Sequence, residues 1–127
     1  MKKNNYTPVL AATIWIVTSE FVRNQLLFLN YWTDHYKSLG IDFSTKPING
    51  IVWLLWSATF AFLLFALRRH YSTKHTIAIG WVAGFVMMWL VISNLGVLPT
   101  KLLVFAVPLS IVEAYVATWI IDNVGSK

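Results

Sequence analysis

Two acids and one base stand where this chain has least use for charge. Glu20 and Arg23 interrupt the apolar runs VLAATIWIV and LLFL, and Glu113 lies inside VPLSIVEAYVATW. Each ionised group at the centre of a membrane helix costs about 2.5–3.5 kcal/mol on an insertion scale. Glu20 and Arg23 are three residues apart, so on a helix they share a face and can pair. Pairing lowers the cost of both without removing it. Asn24 extends a polar stripe that runs Thr13, Glu20, Asn24 and, one turn on, Leu27. Farther along, Ala106, Ser110, Glu113 and Ala117 recur at the spacing of a single helix face. The small members of that face let a neighbouring helix approach, which turns Glu113 toward protein and away from lipid. Pro108 has no N–H for the carbonyl of Val104, which frees an acceptor about a turn from Ser110.

Two polar faces in one small apolar chain are expected to meet. The predicted site is a buried cluster of Glu20, Arg23, Asn24, Ser110 and Glu113, two carboxyls against one guanidinium. Arg23 keeps Glu20 ionised, whereas a carboxyl without a partner in low dielectric takes up a proton. Glu113 is therefore the expected proton-exchanging group, or the anchor of a cationic ligand. The competing reading gives the charges a structural task, locking helices in register or joining subunits.

Other chemistry has little to work with. Cysteine is absent, which excludes disulfides, thiolate zinc sites and a cysteine nucleophile. No phosphate-cradling, dinucleotide-binding, HExxH or GxSxG pattern occurs. Asp34-His35 lacks further ligands at metal spacing, and His70 and His75, five residues apart, do not share a helix face. No metal and no cofactor are expected. The net charge of +5 reads as loop charge facing acidic lipid headgroups. No basic cluster is interleaved with exposed aromatics, so nucleic acid is not an expected partner.

The elements that carry these residues can be read from composition. Of 127 residues, 57% are hydrophobic and 12% charged, about half the charge of a soluble domain. Mean hydropathy is +0.63. The expected fold is an all-α integral membrane protein, one domain of four transmembrane helices in an antiparallel bundle. The helices are predicted over 8–32, 51–67, 76–93 and 99–121, with Pro8 in a first turn and Asn49-Gly50 as a breaker. The outer loop, 33–49, is the longest. Trp32, Tyr36 and Leu39 in and before it keep helical spacing, so the first helix is expected to run on toward Gly40. Lys2, Lys3, Arg68, Arg69, Lys74 and Lys127 share one side, against Lys37, Lys46 and Lys101. Six basic residues against three place both termini in the cytoplasm, and the expected location is a cell membrane of bacterial type. Tyr31, Trp32, Trp53 and Trp56 suit the outer interface, and Tyr71, Trp81 and Trp119 the inner one. Trp15 and Trp89 fall between helices. Gly80 and Gly84 form a small-xxx-small motif, for packing within the chain or between copies. A cleaved leader ending at Val17-Thr18-Ser19 is the rival reading of the N-terminus.

The string EFVRNQLLFLN resembles the Glu/Arg/Asn-bearing helix of the membrane-associated glutathione-pathway proteins, which are also small four-helix bundles. There the run lies on the second helix in a different order, so no residue role is carried across. The architecture is also similar to that of many small bacterial four-helix membrane proteins, a similarity that implies nothing about activity.

The expected function is binding, and passage across the lipid bilayer, of a small ligand or ion at the charge cluster. Four short helices enclose little space, so passage implies a homo-oligomer. Second comes a non-catalytic accessory subunit with a closed, satisfied cluster. Third comes a lipid-acting enzyme with Glu20 or Glu113 as base, for which no nucleophile is evident.

Overall fold

Pro8 occupies the first turn of helix α1, Thr7–Phe21, where its missing N–H is no loss. Asn5 Oδ1 accepts the N–H of Thr7 at 3.0 Å just ahead of it. The computed structural model describes residues 5–43 and 46–125; Lys2, Lys3 and Lys127 lie outside them, as do loop residues 44–45. Helix α1 runs into a wider π turn, Val22–Leu27, and after Phe28 into α2, Leu29–Ser38. Gly40 ends α2 at φ +75°, a left-handed conformation that glycine adopts without a Cβ penalty. Its N–H reaches Lys37 O at 3.0 Å, and Ile41 N–H reaches Tyr36 O at 3.1 Å, satisfying carbonyls at the helix end.

Helix α3 spans Pro47–Arg68. Helix α4, Thr73–Trp81, is capped by Ser72, whose Oγ accepts the N–H of His75. A second π turn, Val82–Val86, leads into α5, Met87–Asn94. A 3₁₀ turn, Thr100–Leu102, then opens α6, Leu103–Gly125. No strand occurs among the described residues.

Three helical stretches are long and apolar enough to cross a membrane: Pro47–Arg68, Thr73–Asn94 and Thr100–Gly125. The first helical stretch is not one of them, because Glu20, Arg23, Asn24 and Gln25 dilute its apolar character. Large apolar side chains stand exposed on every long helix, among them Leu10, Ile14, Leu55, Leu90 and Val104. A surface of that kind is compatible with lipid and not with water.

Several boundaries differ from expectation, each for a local reason. The predicted helix 8–32 is divided by the π turn, while its continuation through α2 to Ser38 follows the spacing of Trp32, Tyr36 and Leu39 and takes up the first third of 33–49. The second helix begins at Pro47 and not at 51, since a first-turn proline starts a helix and Asn49-Gly50 is taken up in its opening turns. The third begins at Thr73 because Ser72 caps it, and the fourth reaches Gly125.

Helix α1 packs against α6 and α3, and α4 against the same two. The centre is built on Ala12, Ala61, Ala114 and Ala117, with Ile16, Leu64 and Phe85 filling between them. Small side chains at these crossings let backbones approach closely. A Cβ on Gly84 would stand 2.6 Å from the Phe60 ring, and one on Gly80 would overlap Leu64. The glycine pair therefore packs against α3 of its own chain.

Candidate functional site

The last turn of α1 presents Glu20, and the adjoining π turn presents Arg23 and Asn24. All three are at least nine-tenths buried. In a π turn each N–H reaches back five residues, as Phe28 does to Arg23 O at 2.9 Å. Arg23 Nη2 pairs with Glu20 Oε1. Asn24 Nδ2 donates to Glu20 Oε2 at 3.0 Å and to the Glu20 carbonyl at 3.1 Å. Asn24 Oδ1 accepts Trp32 Nε1 at 3.0 Å. Both Glu20 oxygens are thus held by residues of one short segment. The Arg23 guanidinium lies 5.3 Å from the centroid of the Phe85 ring, and Phe85 belongs to the second π turn. The two π turns among the described residues meet at this cation–ring contact, and π turns occur frequently at functional sites.

Glu113 enters from α6, fully buried. Trp15 Nε1 donates to its backbone carbonyl at 3.0 Å. Its carboxyl faces that of Glu20, with Arg23 and Ser19 beside it. The Ser19 side chain is the neighbouring donor, and neither Glu113 oxygen makes a well-formed hydrogen bond among the described residues. Ser110 is occupied elsewhere: its Oγ accepts Trp81 Nε1 at 2.8 Å and donates to Val107 O at 2.8 Å. Its backbone partner is thus Val107, not the Val104 carbonyl that Pro108 leaves free.

A cavity of about 450 Å³ opens beside the cluster. Glu20, Arg23 and Asn24 form its polar floor, and Trp53, Trp56 and Trp89 its side walls. At the far end stand Trp32, Tyr36, Asp42 and Phe43. The Trp32 and Phe43 rings stack at 5.9 Å, and Tyr36 meets Phe43 edge-on at 5.1 Å. A smaller cavity, about 240 Å³, lies across Asn49 and Trp53 and also reaches Glu20, with Gln25 and Lys46 in its lining. Glu20 therefore borders both spaces, while Glu113 and Ser110 border neither.

The chain matches no family model, no curated protein and no solved structure. The likeness of EFVRNQLLFLN to a glutathione-pathway helix stays confined to that one short string, and the chain's own geometry is what bears on function.

Of the five predicted residues, the structure brings Glu20, Arg23, Asn24 and Glu113 together and places Ser110 in a separate contact. Sequence reasoning missed the aromatic lining. By sequence Trp32, Trp53 and Trp56 suit an interfacial belt and Trp89 suits helix packing; in the fold all four line the larger cavity. The signal for it was seven tryptophans in one short chain. No group of three or more potential metal ligands forms among the described residues. His35 Nε2 instead contacts Gly96 O at 2.6 Å, tying α2 to the turn after α5.

A second charge pair marks the opposite end of the bundle. Arg68 Nε reaches Asp122 Oδ1 at 2.7 Å, Thr73 Oγ1 donates to Asp122 Oδ2 at 3.1 Å, and Arg68 Nη1 donates to Tyr71 O at 2.8 Å. Arg68, which by sequence faces headgroups, is thereby also a tie between α3 and α6.

Proposed function

We propose that the chain is a multi-pass cell-membrane protein that binds a small ligand in the cavity above Glu20, Arg23 and Asn24. The observation that carries this reading is the cavity itself: mostly apolar, aromatic-walled, with a few convergent polar groups at its base, as small-molecule sites are built. In this reading α1 with its π turn is a fourth crossing, both termini are cytoplasmic, and the cavity opens on the outer face. The charges that make α1 a poor membrane segment by composition are those that serve the ligand. Passage of the ligand, as opposed to binding alone, calls for a homo-oligomer, since one copy encloses only this one-sided space.

Binding is tested with Prodan, a neutral naphthalene dye, titrated into the purified protein in detergent. Saturable fluorescence above the micelle background, weakened about tenfold or more by cavity-filling Ala106→Trp, supports the reading; a wholly non-saturable signal sinks it. Topology is tested separately with introduced cysteines, since the sequence has none of its own. Single cysteines at Asn5 and Gly125 should label only from the cytoplasm, and one at Asp42 only from outside. For passage, dye or ion flux in proteoliposomes must exceed that in empty vesicles.

A non-catalytic accessory role is the second reading. It is favoured by one observation: Glu113, fully buried behind Glu20, reaches neither cavity. Under that reading Prodan binding is absent and the protein co-purifies with a fixed partner.

A further inference from the structure

The charge and shape of the larger cavity bear on what kind of molecule it takes. Two carboxyls, Glu20 and Asp42, and one guanidinium, Arg23, contribute to its lining. The floor pair is balanced: Arg23 pairs with Glu20 through Nη2 and lies over the Phe85 face, while its Nη1 has no hydrogen-bond partner among the described residues. Asp42 is different. It is exposed at the mouth, next to Phe43, with no basic side chain beside it in that lining. The balance over the cavity is one net negative charge, two acids against one base.

The walls add to this. Trp32, Tyr36 and Phe43 cluster at the mouth, and Trp53, Trp56 and Trp89 line the sides. Aromatic faces carry a negative quadrupole and attract cations, tryptophan most strongly. Desolvation raises the strength of that attraction, and half-buried tryptophans beside lipid provide it. An anion entering here would meet Asp42 first, and at the floor an Arg23 whose charge Glu20 offsets. A small inorganic cation would leave the apolar walls without a partner. A neutral apolar molecule would make no use of Asp42.

We infer that the cavity binds a lipophilic organic cation, an ammonium or phosphonium group carrying apolar or aromatic substituents. This inference rests on the ligand-binding reading above and narrows it to one charge class. The cation enters past Asp42, rests its apolar substituents against the tryptophans, and sets its charge between ring faces above Glu20. The Asn24–Trp32 hydrogen bond couples the floor to the mouth, so the rings that receive the cation are positioned by the residue that holds Glu20.

The test uses two ions of nearly the same shape and opposite charge, tetraphenylphosphonium and tetraphenylborate. Each is titrated into the full-length protein in uncharged detergent, and the saturable, protein-dependent component is read by equilibrium dialysis. The expected result is tighter binding of the phosphonium. Asp42→Lys, a change at an exposed position that leaves the packed core alone, should narrow or invert the preference by about fivefold or more. Trp89→Leu should weaken the phosphonium while leaving the sign of the preference unchanged. Equal or tighter saturable binding of the borate overturns the charge assignment, as does a preference that Asp42→Lys leaves untouched. If neither ion binds while Prodan still does, the organic-cation inference fails and the ligand site stands. If none of the three binds, both fail.

Discussion

Two charge pairs among the described residues, one buried and one at the rim, are built in opposite ways. Arg68 and Asp122 join α3 to α6 across more than fifty residues of sequence, and both remain about one-third exposed. The hydrogen bonds around them link separate elements or close the α3–α4 turn. Glu20 and Arg23 join residues three apart on one segment, almost fully buried. The pair at the rim does what a structural salt bridge does: it ties elements that the chain alone would not hold together. The buried pair ties α1 to itself and meets its neighbours only through the Phe85 ring and the facing Glu113 carboxyl of α6. A charge pair that joins no two helices through its own ion-pair bond is an expensive way to hold a bundle. That contrast favours a task for Glu20 and Arg23 beyond packing.

The contrast can be broken most sharply at Glu20. Glu20→Gln leaves Arg23 buried without its counter-ion and should cost about 3–5 kcal/mol. Unfolding in mixed micelles by denaturant measures it. Glu20→Gln/Arg23→Met should recover much of that loss, because the stranded charge is gone. Failure to recover would make the pair a scaffold element like Arg68–Asp122. Phe85→Leu comes next. It removes the ring beneath Arg23 and leaves a void in the core, and the same unfolding experiment should show a loss of about 2 kcal/mol.

At the rim, Arg68→Met should cost about 1 kcal/mol or less. A double-mutant cycle with Asp122→Asn should show a coupling that shrinks as salt is raised, whereas the Glu20–Arg23 coupling should hardly respond. The smallest effect belongs to Glu113→Gln. An amide at this position carries no charge and can donate to the Glu20 carboxylate, so the melting temperature should stay level or rise. A fall as large as that of Glu20→Gln would show that folding needs the Glu113 carboxyl itself.

Helix content, the three apolar spans and the pairing of Glu20 with Arg23 were legible in the sequence because each depends on local spacing. Approach of α6 to its neighbours was legible from the face Ala106, Ser110, Glu113 and Ala117, whereas the part played by Ala114 in the core was not. What was hidden depended on geometry that a regular 3.6-residue period cannot express. Neither VRNQLL nor VAGFV carries a proline or any other mark of a π turn. The place of Ser110 was hidden because its hydroxyl is satisfied by Trp81, a residue far away in sequence. The start of α3 was hidden because Asn49-Gly50 is a strong local breaker, and Pro47 prevails over it by starting the helix earlier. The aromatic cavity was invisible because tryptophan suits an interfacial belt and a pocket wall equally well.

The π turn at Val22–Leu27 also fixes the angular register of everything after it. A π turn takes up more residues per revolution than an α turn, so the helix beyond it emerges rotated relative to an uninterrupted one. Each residue added to or removed from an α-helix rotates the rest of the helix by about 100°. Removing one residue from this segment would let the hydrogen bonding revert to the ordinary α pattern. The two changes nearly cancel in angle, so Trp32 and Tyr36 would keep facing the cavity mouth; reversion to the α pattern at unchanged length would instead swing them away while leaving Glu20 in place. The segment is thus a one-residue phase shift absorbed by a wider turn, and the register survives only if its length and its winding change together.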